Sequence, residues 1–419
     1  MLNSLKTAFK LDELRNKLLF TLAMLFLFRV GAHIPVPGVN PEAFANLLTK
    51  GQLLGFFDVI SGGAFKNASI FAMSITPYIN ASIIMQLLTV VIPQLERLAK
   101  EGEEGRKKIT QYTRYFTAVL AFIQAIGMSV ALQDAMVNPT VLNYLIVAIT
   151  FTAGTVLLMW IGEQITDKGI GNGISLIIFT GIVSRIPSAL VSIGEYLSAG
   201  TINILSVLAL LVIGVLVIAA VVAVQEGQRR IPVQYAKRVV GRRVYGGKTS
   251  HLPLKVNQAG VIPIIFASSL LMFPGQIASW FTGNAVADWY LKWFAWGGVL
   301  NSILYAMLII GFTYFYTAVI MNPVDMAENI KKYGGFIPGL RPGRSTAEYI
   351  SKVMSRITLA GAVFLALIAI MPNIILPLTR IPNIYFGGTA LLIVVGVALD
   401  TMKQIESHLL MRSYQGFLK

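Results

Sequence analysis

The chain has 419 residues, 55% of them hydrophobic and only 13% charged, with a mean hydropathy of +0.70. Water-soluble domains carry about 25% charged residues, so most of this chain is kept from bulk water, and its 34 Lys and Arg against 19 Asp and Glu crowd a net charge of +15 onto a small polar surface. With no cysteine and only three dispersed histidines (His33, His251, His408), disulfides, thiolate chemistry and a zinc site are excluded, and no metal or cofactor is called for.

A spanning helix needs about 20 mostly apolar residues, and the chain offers ten such stretches in order. The polar N-terminus, 1–17, leads into the first, 18–34, which lacks a small-residue cleavage pattern and reads as a retained span, not a removed signal peptide. Arg29 lies near its outer end; it is expected to snorkel to the external interface, the alternative being a structural ion pair or hydrogen bond. The stretch 55–67, GFFDVISGGAFKN, is apolar and glycine-bearing but too short to cross. It reads as an interfacial helix or as a re-entrant segment buried in protein. Spans at 67–95, 115–133, 135–162 and 169–184 follow, the last being short and spanning if Arg185 snorkels. Spans at 196–225, 256–287, 293–324, 357–379 and 381–399 complete an all-α, polytopic membrane protein.

Some spans are not purely apolar. The second contains Pro77, Asn80, Ser82 and Gln86, and the seventh opens with Asn257, Gln258 and Pro263 before Ser268 and Ser269. Such residues serve either as interhelical hydrogen bonds and kinks or as the lining of a wet path or a seam that opens. Carboxylates and histidines sit at span ends or in loops. This argues against an ion-coupled pump and for a passive conduit or a scaffold.

With the N-terminus in the cytoplasm, 28 of the 34 basic residues fall on the cytoplasmic side, five on the other, and Arg29 within a span. The positive-inside rule therefore places both termini in the cytoplasm. Anionic lipid head groups account for part of this charge, but two loops are too long and too basic for lipid alone. Loop 225–256 reads as a strand–turn–strand hairpin with Arg242 and Arg243 at its tip, a basic finger suited to RNA phosphates or an acidic protein groove. Loop 322–352 reads as a short helix followed by glycine and proline punctuation that fixes Arg341 between Leu340 and Pro342 as a docking contact. The GKT at 247–249 is not a phosphate loop, because Arg242 stands where the motif needs its first glycine.

Several long motifs in order make the sequence specific: RVGAHIPVPGV (29–39), SGGAF (61–65), TPYINASIIMQLLTVV (76–91), GIGNGISLIIF (169–179), GRRVYGGKTSHLPLKVNQAGVIP (241–263), FIPGLRPG (336–343) and YFGGTALLIVVGVALD (385–400). Over essentially its whole length the chain resembles the SecY family, the central subunit of the bacterial protein-translocation channel. The resemblance implies ten spans in two pseudo-symmetric five-helix halves around a central pore. One half would be residues 1–195, with spans one to five and an external plug at about 55–67. The other would be residues 196–419, with spans six to ten and both basic loops.

It further implies a pore ring of Ile79, Ile83, Ile178, Ile182, Ile265 and Ile393. The two α-helical i,i+4 pairs among these agree with a shared face. The plug would be Phe56, Phe57, Asp58, Val59, Ile60, Ser61, Gly62, Gly63, Ala64 and Phe65. A lateral gate would lie where spans two and three face spans seven and eight, with Gln86, Thr89 and Asn257 as polar contacts. Arg242, Arg243 and Arg341 match positions that engage the ribosome or the SecA motor ATPase. Implied partners are small SecE-like and SecG-like membrane subunits, signal sequences and nascent polypeptides, in the bacterial cytoplasmic membrane. The function implied is a non-catalytic channel that passes unfolded secretory polypeptides and releases apolar helices sideways. The alternative class is a secondary transporter or lipid flippase, which buried ionisable residues would favour.

Overall fold

In the computed structural model, residues 9–40, 43, 58, 61–200, 202–235, 238–240, 243–245, 249–281, 284–294, 298–379 and 388–416 are described. Each of the ten expected spans holds a helix over part of its stretch; residues 381–387 of the tenth lie outside the described residues. The first four are α1 (Asp12–Gly31), α2 (Thr76–Val91) with the short α3 (Pro93–Lys100), α4 (Glu103–Ala131) and α5 (Val141–Lys168). The fifth is α6 (Gly173–Val183), which the turn at 184–185 joins to α7 (Ile186–Ser198), and the sixth is α8 (Ile204–Glu226). Then come α9 (Ile262–Trp280), the short α10 (Ala285–Trp293), α11 (Val299–Ile320), the short α12 (Pro323–Lys332), α13 (Arg344–Thr379) and α14 (Gly388–Gly416).

Among the described residues, seven helical runs are long and apolar enough to cross a membrane, or eight when the α2–α3 pair counts as one span. That is short of ten because α1 carries Asp12, Glu13, Arg15, Lys17 and Arg29, and because the apolar run of α9 is brief. Helix boundaries follow local chemistry. Pro93 stands in the first turn of α3, where it has no N–H to continue α2, and the two helices meet at 99°. Asn172 caps α6 by accepting from the Ser175 N–H at 3.1 Å, and Asn322 caps α12 by accepting from the Val324 N–H at 3.0 Å.

Several expected spans have different bounds, and two differ in kind. The stretch 67–75 is not helical: helix α2 starts only at Thr76, one residue before Pro77, and residues 61–75 form a chain of buried turns. Gly62, Gly63, Ala68 and Ser74 all adopt positive φ there, which a right-handed helix excludes. The irregular backbone is satisfied by the stretch after α1: Val36 N–H donates to Ala68 O at 2.9 Å and Ile70 N–H to Ile34 O at 3.0 Å. The chain also approaches α5 closely, for a Cβ on Gly154 would lie 1.9 Å from the Ile70 carbonyl oxygen. The fifth span does not stop at Ser184; after the turn it continues to Ser198, and the link to α8 follows.

The main core gathers Phe28, Ile75, Leu158, Ile177, Ile264 and Leu392 from helices along the whole chain. Lipid is as apolar as these side chains, so close packing and not water exclusion holds such a bundle together. Outward faces stay greasy; Leu205, Leu208, Leu211 and Leu216 of α8 are all exposed.

Both basic loops belong to one small β-structure. Strand β1 (Gln228–Tyr235) pairs antiparallel with β4 (Thr249–Lys255), in the register Arg230↔Pro253 and Pro232↔His251. Beyond them β2 (Arg238–Val240) pairs with β3 (Arg243–Tyr245), which continues the hairpin. The other edge of β1 receives β5 (Gly335–Phe336) from the second loop. Beneath this sheet, Ile231, Val233, Leu254 and Ile337 pack on Ile350, Val353 and Met354 of α13.

Candidate functional site

Helices α2, α6, α9 and α14 bring the six singled-out isoleucines into one buried core; Ile79, Ile83, Ile178, Ile182, Ile265 and Ile393 are each between 2% and 9% exposed. Ile79, Ile178, Ile265 and Ile393 line a cavity of about 20 Å³ between these helices. That is room for about one water. Ile83 and Ile182 belong to the same core without reaching that wall. The rest of the lining includes Thr76, Ser268, Ser269 and Thr389, which the sequence reading did not assign to the isoleucine cluster. Helical periodicity would have found them. Thr76 lies three residues before Ile79, Ser268 and Ser269 three and four after Ile265, and Thr389 four before Ile393. Among the described residues, no titratable side chain faces this cavity. In general, branched aliphatic walls with no charge dewet a narrow passage.

The segment between the first two spans lies against this core. Of the expected plug, Asp58 and Ser61, Gly62, Gly63, Ala64 and Phe65 are described; Phe56, Phe57, Val59 and Ile60 lie outside the described residues. Asp58 accepts from the Lys66 N–H at 2.7 Å, and Ser61 Oγ accepts from the Phe65 N–H at 3.1 Å, so the segment folds on itself. Ala64 joins the main core and Phe65 a second one with Phe151 and Met128. The segment touches α6 near Gly181. The opposite end of α6 is tied to α14, where Gly171 N–H donates to Gln404 Oε1 at 2.8 Å, and Lys403 pairs with Glu226 at the foot of β1. The segment therefore sits at the end of α6 remote from the basic loops.

Two expectations about charge are corrected here. Arg29 does not snorkel: its Nη1 donates to the Gly62 carbonyl at 2.8 Å. Nor does Arg185, whose guanidinium pairs with the Asp58 carboxylate. In each case a polar partner inside the protein offers a closer end point for the charge than the interface does.

At the expected seam, α9 packs against α2 and α4, with Gln86 on α2. Phe266 of α9 meets the ring of Tyr316 edge-on at 5.5 Å. The other two polar candidates do not bridge it. Thr89 donates to Gln86 O at 2.6 Å within its own helix, and Asn257 donates to Gly260 O at 2.9 Å within its own loop.

On the basic loops, Arg341 is exposed on a backbone pinned at both sides. Its carbonyl accepts from the buried Thr346 hydroxyl at 2.9 Å, and Gly339 and Gly343 flank it at positive φ. Arg243 lies opposite Val240 at the end of the β2–β3 ladder, and Arg242 lies outside the described residues.

Helices that cross a bilayer, an uncharged constriction where they converge and an irregular segment folded over one end of it form the architecture of a membrane channel. The fold is that of a solved structure described as a protein conducting channel, with a TM-score of 0.65 over 94% of this chain and 92% of that chain at 20% identity. It is also that of Sec61 in a canine ribosome–channel complex, with a TM-score of 0.63 over 94% and 92% at 19% identity. Likeness at such identity is one of fold. Sequence goes further: the SecY family profile matches residues 69–402. A protein translocase subunit SecY of Halalkalibacterium halodurans is 50% identical over the whole of both chains, and that of Escherichia coli K12 is 48% identical over 98% of this chain and 95% of its own. The chain belongs to the SecY family.

Proposed function

We propose that this chain is a channel for unfolded polypeptides, through which secretory proteins cross the membrane and from which signal sequences and transmembrane segments leave sideways into lipid. One observation carries the proposal: six isoleucines from four helices meet in a single core cluster, and four of them line a cavity of about 20 Å³. Such a ring offers a passing chain no charged group to grip, yet excludes ions when empty. Residues Asp58 and Ser61 to Phe65, together with the neighbouring 56–57 and 59–60, act as the plug beyond it. The contact of α2 and α4 with α9 and α11 is the lateral gate, with Gln86 as its polar clasp; Thr89 and Asn257 have secondary roles there. The two halves, 1–195 and 196–419, hinge around the ring.

The channel performs no covalent chemistry, so the driving energy comes from partners. Arg341, with Arg242 and Arg243, docks a SecA-like motor or the ribosome, and the likeness to a ribosome-bound channel supports the second. Small SecE-like and SecG-like subunits cover exposed helix faces. Both termini lie in the cytoplasm of a bacterium, the protein sitting in its cytoplasmic membrane; the placement of 28 of the 34 basic residues supports this orientation.

Reconstitution with a motor ATPase and a secretory precursor tests the proposal. A precursor halted in transit should crosslink to probes at Ile83 and Ile265. Failure to translocate, or crosslinks only to lipid-facing positions, would refute it.

A further inference from the structure

The segment proposed as the plug is held from two helices by charge. Arg29, in the last turn of α1, holds the Gly62 carbonyl, and Arg185, in the turn between α6 and α7, holds the Asp58 carboxylate. The Asp58 side chain is 4% exposed, the most buried carboxylate in an ion pair among the described residues, while Arg185 is 32% exposed. Asp58 is also the keystone of the segment's own fold, since its carboxylate caps the Lys66 N–H and its carbonyl accepts from Gly63 N–H at 2.9 Å. The fit is close. A Cβ on Gly62 would stand 2.7 Å from the Gly181 Cα, so glycine meets glycine where the segment rests on α6, one residue from Ile182.

We infer that the Asp58–Arg185 pair is a specificity-determining contact, which sets how apolar a signal sequence must be to open the channel. The inference rests on the plug reading above. If the segment must leave for polypeptide to pass, the pair exists in the shut state and is broken in the open one. A substrate shifts such an equilibrium only by its differential affinity for the two states. A contact made in the shut state alone therefore raises the threshold for every signal sequence. Strongly apolar signals clear it and saturate; weakly apolar ones fail by the full margin. Removing the Arg185 charge leaves the Asp58 carboxylate buried and unpaired, which destabilises the shut state further.

The test uses the full channel complex with its small subunits and motor, in proteoliposomes. Two precursors are compared, one with a strongly apolar signal and one with two leucines of that signal replaced by serine. Asp58→Asn and Arg185→Gln are each expected to raise the weak-to-strong export ratio at least tenfold, and the exchange Asp58→Arg with Arg185→Asp to bring it back toward the parent. Should a single variant fail to assemble, the double Asp58→Asn/Arg185→Gln, which buries no unpaired charge, is expected to raise the ratio as well. Unchanged ratios in the assembled variants overturn the inference. Excision of 57–64 in the same complex separates the two claims through resting ion flux. If the excised channel leaks while the charge variants match the parent, the pair has no such role and the plug stands. An excised channel that stays tight refutes the plug, and the threshold role falls with it.

Discussion

Replacing Ile178 by alanine tests the seal directly. Ile178 is 2% exposed and lines the cavity of about 20 Å³ with four other isoleucines, Ile79, Ile264, Ile265 and Ile393. In an open, wetted passage its side chain would face water, so its burial favours the shut state alone. Three carbons are lost, at about 0.8 kcal/mol each, giving about 2.4 kcal/mol. Incomplete collapse of the surrounding helices places such truncations at about 2–5 kcal/mol. Taking about 3 kcal/mol, and about 1.4 kcal/mol per factor of ten, the wetted population rises about a hundredfold. Ile178→Val removes one carbon and shifts it only about fourfold by the same figures. Resting ion flux through reconstituted complexes, normalised to folded protein, should thus rank alanine well above valine and valine just above the parent. If the alanine variant is as tight as the valine one, these side chains do not seal the path.

Arg341→Glu should lower motor-driven export at least tenfold and change thermal stability by no more than about 0.5 kcal/mol, since the side chain is exposed; undiminished export would remove Arg341 from the docking surface. Ile231→Ala, in the apolar layer under the sheet, should cost about 2–5 kcal/mol locally and make loops 225–256 and 322–352 susceptible to protease together; cleavage of one loop alone would show that they are not a unit. Gln86→Leu removes a polar side chain from the proposed seam, at about 1 kcal/mol for one hydrogen-bonding group. Marginally apolar test segments should then insert into lipid several-fold more often, and an unchanged insertion threshold would discard Gln86 as a clasp.

Much of this was legible in the residues because a bilayer imposes simple rules. Uncharged length marks the helices, and the basic loops mark one side. The isoleucines were readable as i,i+4 faces, and their convergence followed from the family resemblance rather than from spacing. What stayed hidden depends on distant partners. Arg185 looked like the end of a span because a scan for charge sees a boundary, whereas its partner Asp58 lies 127 residues earlier in the chain. Residues 67–75 are as apolar as a helix but bend through positive φ at Ala68 and Ser74, where their carbonyls and amides meet the stretch after α1. The hairpin at 225–256 was visible from its alternation, while β5 was not, being two residues long and defined by the strand it joins.

That two-residue strand has a mechanical consequence. It fastens the outgoing end of α12 to the hairpin that α8 feeds and α9 leaves, with α13 packed beneath. A partner that grips either basic loop therefore pulls on four helices at once. The sheet is a handle: torque delivered at either loop is shared among those helices, instead of bending one loop.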